Sequence, residues 1–104
     1  MQEKSLPRIA AVLPGTAPMT LCVTWRHGGE SVVDVSGLIR TFRLYEPLRN
    51  DAVLFRQVRV GEHGTDIVWT DAIDMAADTL WRLSREQLAE KMNSTPFRVS
   101  RQSA

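Results

Sequence analysis

Apolar and polar residues alternate along residues 19–25, where Met19, Leu21, Val23 and Trp25 are separated by Thr20, Cys22 and Thr24. A period of two sets the four large apolar groups on one face of a β-strand. His27-Gly28-Gly29 follows as turn chemistry, because glycine accepts the positive φ of tight hairpin turns, and residues 30–35 return as the partner strand. The same pattern recurs further on: residues 55–60 alternate, Gly61-Glu62-His63-Gly64 forms a compact turn, and residues 65–70 carry Ile67, Val68 and Trp69. With residues 8–13 added, about five strands are predicted, in an antiparallel sheet built largely from hairpins.

The segments between and after the hairpins read as helical. Ser36 is placed to cap a short helix in which Leu38, Phe42 and Tyr45 fall at helical spacing. Pro47 suits the first turn of a second short helix ending near Leu54. Asp74 resembles the cap of a third, over residues 76–83. A sheet with one apolar face needs a cover, and these helices supply it, so the predicted class is α+β: a small antiparallel sheet of hairpins covered by short helices, with a C-terminal helical tail. The predicted division is an α+β domain over residues 1–83 and a tail over 84–104.

Composition adds limits. A chain of 104 residues, 43% hydrophobic and 24% charged, fits one compact domain with a short appendage. The formal charge of +1 is small for a nucleic-acid binder, but it is unevenly spread. Residues 60–81 hold five carboxylates and no Lys or Arg, whereas residues 82–104 hold five basic residues against two acidic ones, a net +3. No apolar run approaches a membrane span, the N-terminal apolar stretch is too short for a signal peptide, and one cysteine forms no internal disulfide. A bacterial cytoplasm is the expected location.

The tail carries the most specific local motif. Ser84-Arg85-Glu86-Gln87 has the form of a capping box, Leu88 and Met92 continue an apolar stripe, Asn93 suits a turn, and Ser94-Thr95-Pro96 reads as the start of another helix. This is the beginning of a helix-turn-helix, in which Thr95, Phe97, Arg98 and Arg101 face the DNA groove. Ser94 and Gln102 stand where apolar anchors are expected, and a third bracing helix is lacking. Two readings therefore stay open: an ordinary terminal helix with a tail, or a motif completed by a partner. Trp81 and Met92, large and apolar without an evident partner in the chain, predict a protein interface, with a homodimer as the simplest assembly.

Catalytic chemistry is sparse. His27 and His63 occupy hairpin turns where solvated polar residues are usual, and Cys22 lies mid-strand, where a packed thiol is more usual than a nucleophile. Asp66, Asp71, Asp74 and Asp78 match no calcium loop. No catalytic residue, metal or cofactor is predicted, and the chain is read as a non-enzyme.

Leu21, Val23 and Trp25, Gly29-Glu30, Val33-Asp34-Val35-Ser36, the Leu48, Asp51 and Phe55 spacing, Ile67-Val68-Trp69 and Ile73-Asp74-Met75 together resemble the small bacterial family known as domain of unknown function 2442. The resemblance covers residues 8–83 and supports the fold more than a function. It further implies that a helix-turn-helix follows the domain in some members, and a gene arrangement that looks like a toxin and antitoxin pair. The resulting expectation is a regulatory or inhibitory module that binds another protein chain, with a DNA-binding regulator or antitoxin-like protein as the alternative.

Overall fold

The computed structural model describes residues 7–93, with the side chains of residues 7–90. Strands β1 (Ile9–Pro14), β2 (Thr20–Trp25) and β3 (Glu30–Asp34) form one antiparallel sheet in the order β1-β2-β3. Three short helical pieces follow: α1 (Ser36–Thr41), a 3-10 helix (Arg43–Leu48) and α2 (Ala52–Phe55). Strands β4 (Arg59–Val60), β5 (Asp66–Thr70) and β6 (Ile73–Ala76) make a second antiparallel sheet, and α3 (Ala77–Asn93) closes the described chain. The class is α+β, but the strands form two three-stranded sheets where one was expected.

The alternation at β2 does what its period dictates. Leu21, Val23 and Trp25 are buried, while Cys22 lies on the outer face in register with Leu13 of β1 and Val32 of β3. Gly28 and Gly29 turn the hairpin at φ 109° and 89°. The two sheets meet where the Ile9 amide donates to the Gly64 carbonyl at 2.8 Å. Gly64 has φ 73°, and a Cβ there would sit 2.9 Å from the Ile9 carbonyl oxygen and from the Arg26 guanidinium, so the junction requires glycine. Ile67, Trp69, Ile73 and Met75 of the second sheet join the same core, as do Ile39 of α1 and Leu80 of α3.

Several local expectations are corrected. Ser36 caps nothing with its side chain; its amide and hydroxyl both donate to Asp34 Oδ1, at 2.9 and 2.6 Å. Pro47 lies inside the 3-10 helix, and the chain then breaks before α2, whose N-cap is Asp51, accepting from the Leu54 amide at 3.0 Å. Phe55 ends that helix instead of opening a strand, because the buried Trp69 indole takes its carbonyl at 3.0 Å; β4 is only two residues long. Asp74 is no helix cap but the exposed second residue of β6, between buried Ile73 and Met75.

The largest correction is at α3. It runs unbroken through Ser84, so the capping box does not start a helix. The Ser84 hydroxyl instead donates back to the Trp81 carbonyl at 2.8 Å, and Gln87 reaches across to β3. Leu88 is 56% exposed, so the expected apolar stripe does not pack on the body at that position. Among the described residues no helix is long and apolar enough to cross a membrane.

Candidate functional site

The described chain has a basic segment that the tail had obscured. Residues 40–59 hold Arg40, Arg43, Arg49, Arg56 and Arg59 against Glu46 and Asp51, a net +3. Arg40 ends α1, Arg43 opens the 3-10 helix, Arg49 follows it, and Arg56 follows α2. The bend between α1 and the 3-10 helix brings three of these arginines together. Arg40, Arg43 and Arg49 share with Thr41 and Glu46 a polar concavity of about 480 Å³.

Arg49 is fixed in place. Its Nε donates to the Ile39 carbonyl at 2.7 Å and one terminal nitrogen donates to the Phe42 carbonyl at 3.2 Å, so the guanidinium ties α1 to the 3-10 helix. Those carbonyls lie at the C-terminal end of α1, where a cation is favoured. Arg40 and Arg43 make no hydrogen bond or ion pair among the described residues, although Arg40 helps hold the Asp34 carboxyl below the usual range, after the two hydrogen bonds from Ser36. Phe42 and Leu44 stand 52% and 48% exposed between and beside these arginines.

Arg49 also lines a second, more apolar cavity of about 360 Å³ between the β1–β2 turn and α2. Pro14, Pro18, Met19, Leu48 and Phe55 form its apolar wall, and Asn50, Arg56 and Asp51, whose carboxylate caps α2, are polar members of its lining. Met19 is the one non-glycine residue with positive φ, 57°, among the described residues. Its carbonyl accepts from the Val35 amide at 2.9 Å, which holds this wall against the start of α1.

A third feature centres on Trp81. Its ring meets Trp25 edge-on at 5.1 Å and His27 at 5.4 Å, and the Arg85 guanidinium lies 5.5 Å from its centroid. Trp81 therefore has the intrachain partners that the sequence did not reveal, because Trp25 and His27 lie far from it in the chain. Next to it a groove of about 500 Å³ separates α3 from β3, bordered by exposed Val32 and Leu88.

The other expected site residues are placed as follows. Thr95, Phe97, Arg98 and Arg101 lie outside the described residues, as does the side chain of Met92. His27 packs on tryptophan, and at His63 it is the backbone carbonyl that accepts from Arg8 and Arg26. Among the described residues no three His, Cys, Asp or Glu side chains converge to hold a metal ion. The arginine face was missed because its members follow neither a helical nor a strand period; a count of charge over residues 40–59 is the signal that finds it.

A family model described as protein of unknown function, DUF2442, matches residues 9–86. No curated protein matches the chain. A crystal structure of a "Putative DNA Binding Protein" from Nitrosomonas europaea is similar at 27% identity and a TM-score of 0.71, over 86% of this chain and 56% of that one. The present chain thus spans little more than half the length of that relative. On the family match, the chain belongs to the DUF2442 family.

Proposed function

We propose that this DUF2442 domain is a non-enzymatic DNA-binding module that meets phosphate through the arginine face of α1, the 3-10 helix and α2. The observation that carries the reading is the concavity shared by Arg40, Arg43 and Arg49, two of which have no described hydrogen-bond partner. Guanidinium groups present planar, always-charged donor forks that fit phosphate oxygens, and Arg49 is already held in position by two backbone carbonyls. The similarity to the Nitrosomonas europaea "Putative DNA Binding Protein" supports the same reading. Phosphate contact of this kind gives affinity without sequence choice.

Fluorescence anisotropy with a labelled DNA duplex tests it. Wild type is expected to bind with an affinity that falls steeply with salt, and Arg40→Glu combined with Arg43→Glu to lose most of that binding while the fold persists. Unchanged binding in the double variant would place the contact elsewhere.

A second reading, docking of a protein chain, is favoured by one observation. Val32 and Leu88, 68% and 56% exposed, face the groove beside Trp81. A homodimer or a regulatory partner seated there would bury both.

A further inference from the structure

We infer that the DNA taken by the arginine face is single-stranded, with one unpaired base lodged in the apolar cavity between the β1–β2 turn and α2. The inference rests on the DNA-binding reading and names the form of the ligand. Two features on one surface suggest it. The polar concavity at Arg40 and Arg43 and the apolar cavity at Leu48 and Phe55 are neighbours with Arg49 as a common wall. Arg56 lines the apolar cavity as well. An apolar hollow with guanidinium groups in and beside its lining matches the alternation of base and phosphate along a single strand.

A duplex cannot use such a hollow. Its bases are paired and stacked, their faces hidden, and only the phosphate ridges reach a protein surface without unpairing. An unpaired base exposes both faces and gains by leaving water for an apolar wall. The cavity, about 360 Å³, lies within the roughly 300–1,000 Å³ usual for small-ligand sites. Pro14, Pro18, Met19 and Leu48 supply apolar contact, and the exposed Asn50 carboxamide offers a donor and an acceptor to a base edge. Phe42, half exposed beside Arg43, provides a surface on which a neighbouring base can stack.

Anisotropy with a short mixed-sequence single strand and with its duplex, on the full chain, tests the inference. The expected result is tighter binding of the single strand, by about tenfold or more, since stacking of even one base contributes on that order. Ala52 and Ala17 line the cavity and are exposed, so Ala52→Leu or Ala17→Leu fills it from the rim with aliphatic bulk that offers no ring for a base to stack on and does not touch the core. Each is expected to remove the single-strand preference, leave duplex binding in place and keep the wild-type thermal unfolding midpoint. Use of two variants from opposite walls guards against a local defect in one. Equal or tighter duplex binding by wild type, or filled variants that still prefer the single strand, would overturn the inference alone. Absence of binding to either DNA would overturn it together with the DNA-binding reading.

Discussion

Gln87 and Asp34, 53 positions apart, are joined by two hydrogen bonds of 2.9 Å: the Asp34 amide donates to Gln87 Oε1, and Gln87 Nε2 donates to the Asp34 carbonyl. The Val35 amide donates to Met19 beside β2, so by the alternation of an antiparallel ladder Asp34 turns its peptide groups outward. The Gln87 carboxamide thus meets β3 as a residue of a further strand would. Tyr45 treats the other sheet similarly, its hydroxyl donating to the Asp74 carbonyl of β6 at 2.9 Å. Side chains thereby cover edge groups that would otherwise invite strand addition.

Gln87→Ala removes both bonds and is expected to destabilise the fold by about 1–2 kcal/mol in urea denaturation, the usual scale for such losses at a solvent-accessible site. Gln87→Glu keeps the acceptor but opposes a carboxylate to the Asp34 carbonyl, and should be no better than alanine at neutral pH. A chain ending at Leu83 keeps Leu80 in the core and should still unfold cooperatively, at lower urea than one ending at Asn93.

Trp81→Ala opens a gap beside Trp25 and removes the contact with His27. Because Trp81 is only partly buried, the expected cost is about 2–3 kcal/mol, below that of a fully buried tryptophan. Trp81→Glu should lower the unfolding midpoint even in a dilute monomeric sample, which separates its structural role from any role in association.

Asp34 gives a pH dependence. Hydrogen bonds from the Ser36 hydroxyl and amide hold its carboxyl below the usual range, against a smaller opposing effect of burial. A depressed folded pKa stabilises the fold above the unfolded value, about 3.9, and that contribution is lost as pH falls through the folded value. Ser36→Ala should therefore be less stable than wild type near neutrality, with the gap closing in acid. Parallel stability curves for the two proteins down to pH 2 would contradict this.

Arg49 should behave differently from its neighbours. Arg49→Ala frees the Ile39 and Phe42 carbonyls and is expected to cost about 1–3 kcal/mol of stability as well as DNA affinity. Arg43→Ala, whose side chain bonds to nothing described, should lower affinity at unchanged stability. Denaturant midpoints measured beside binding constants separate the two effects.

Much of the fold was legible because its signals are local. Leu21, Val23 and Trp25 alternate within one strand, and Gly28-Gly29 marks its turn. Ile73 to Met75 carried the same alternation but was too short to outweigh the cap reading of Asp74. The start of α3 was placed within one residue, but its continuation past Leu83 was read as a new helix because Ser84 and Gln87 satisfy a local motif, whereas their actual partners are the Trp81 carbonyl and the distant Asp34 backbone. The arginine face was illegible for a related reason: Arg40, Arg43 and Arg49 converge only through the bends between α1, the 3-10 helix and α2. The tail residues chosen for DNA contact, Thr95 to Arg101, lie outside the described residues and gain no structural support.

DNA contact at the arginine face can be followed residue by residue through backbone amide NMR signals during titration with a short DNA single strand. The largest shifts are expected over residues 40–56 and in the β1–β2 turn near Met19, with those near Arg40 and Arg43 suppressed as salt is raised. Shifts confined to α3 beyond Gln87 and to residues 94–104, with the arginine segment unmoved, would contradict it.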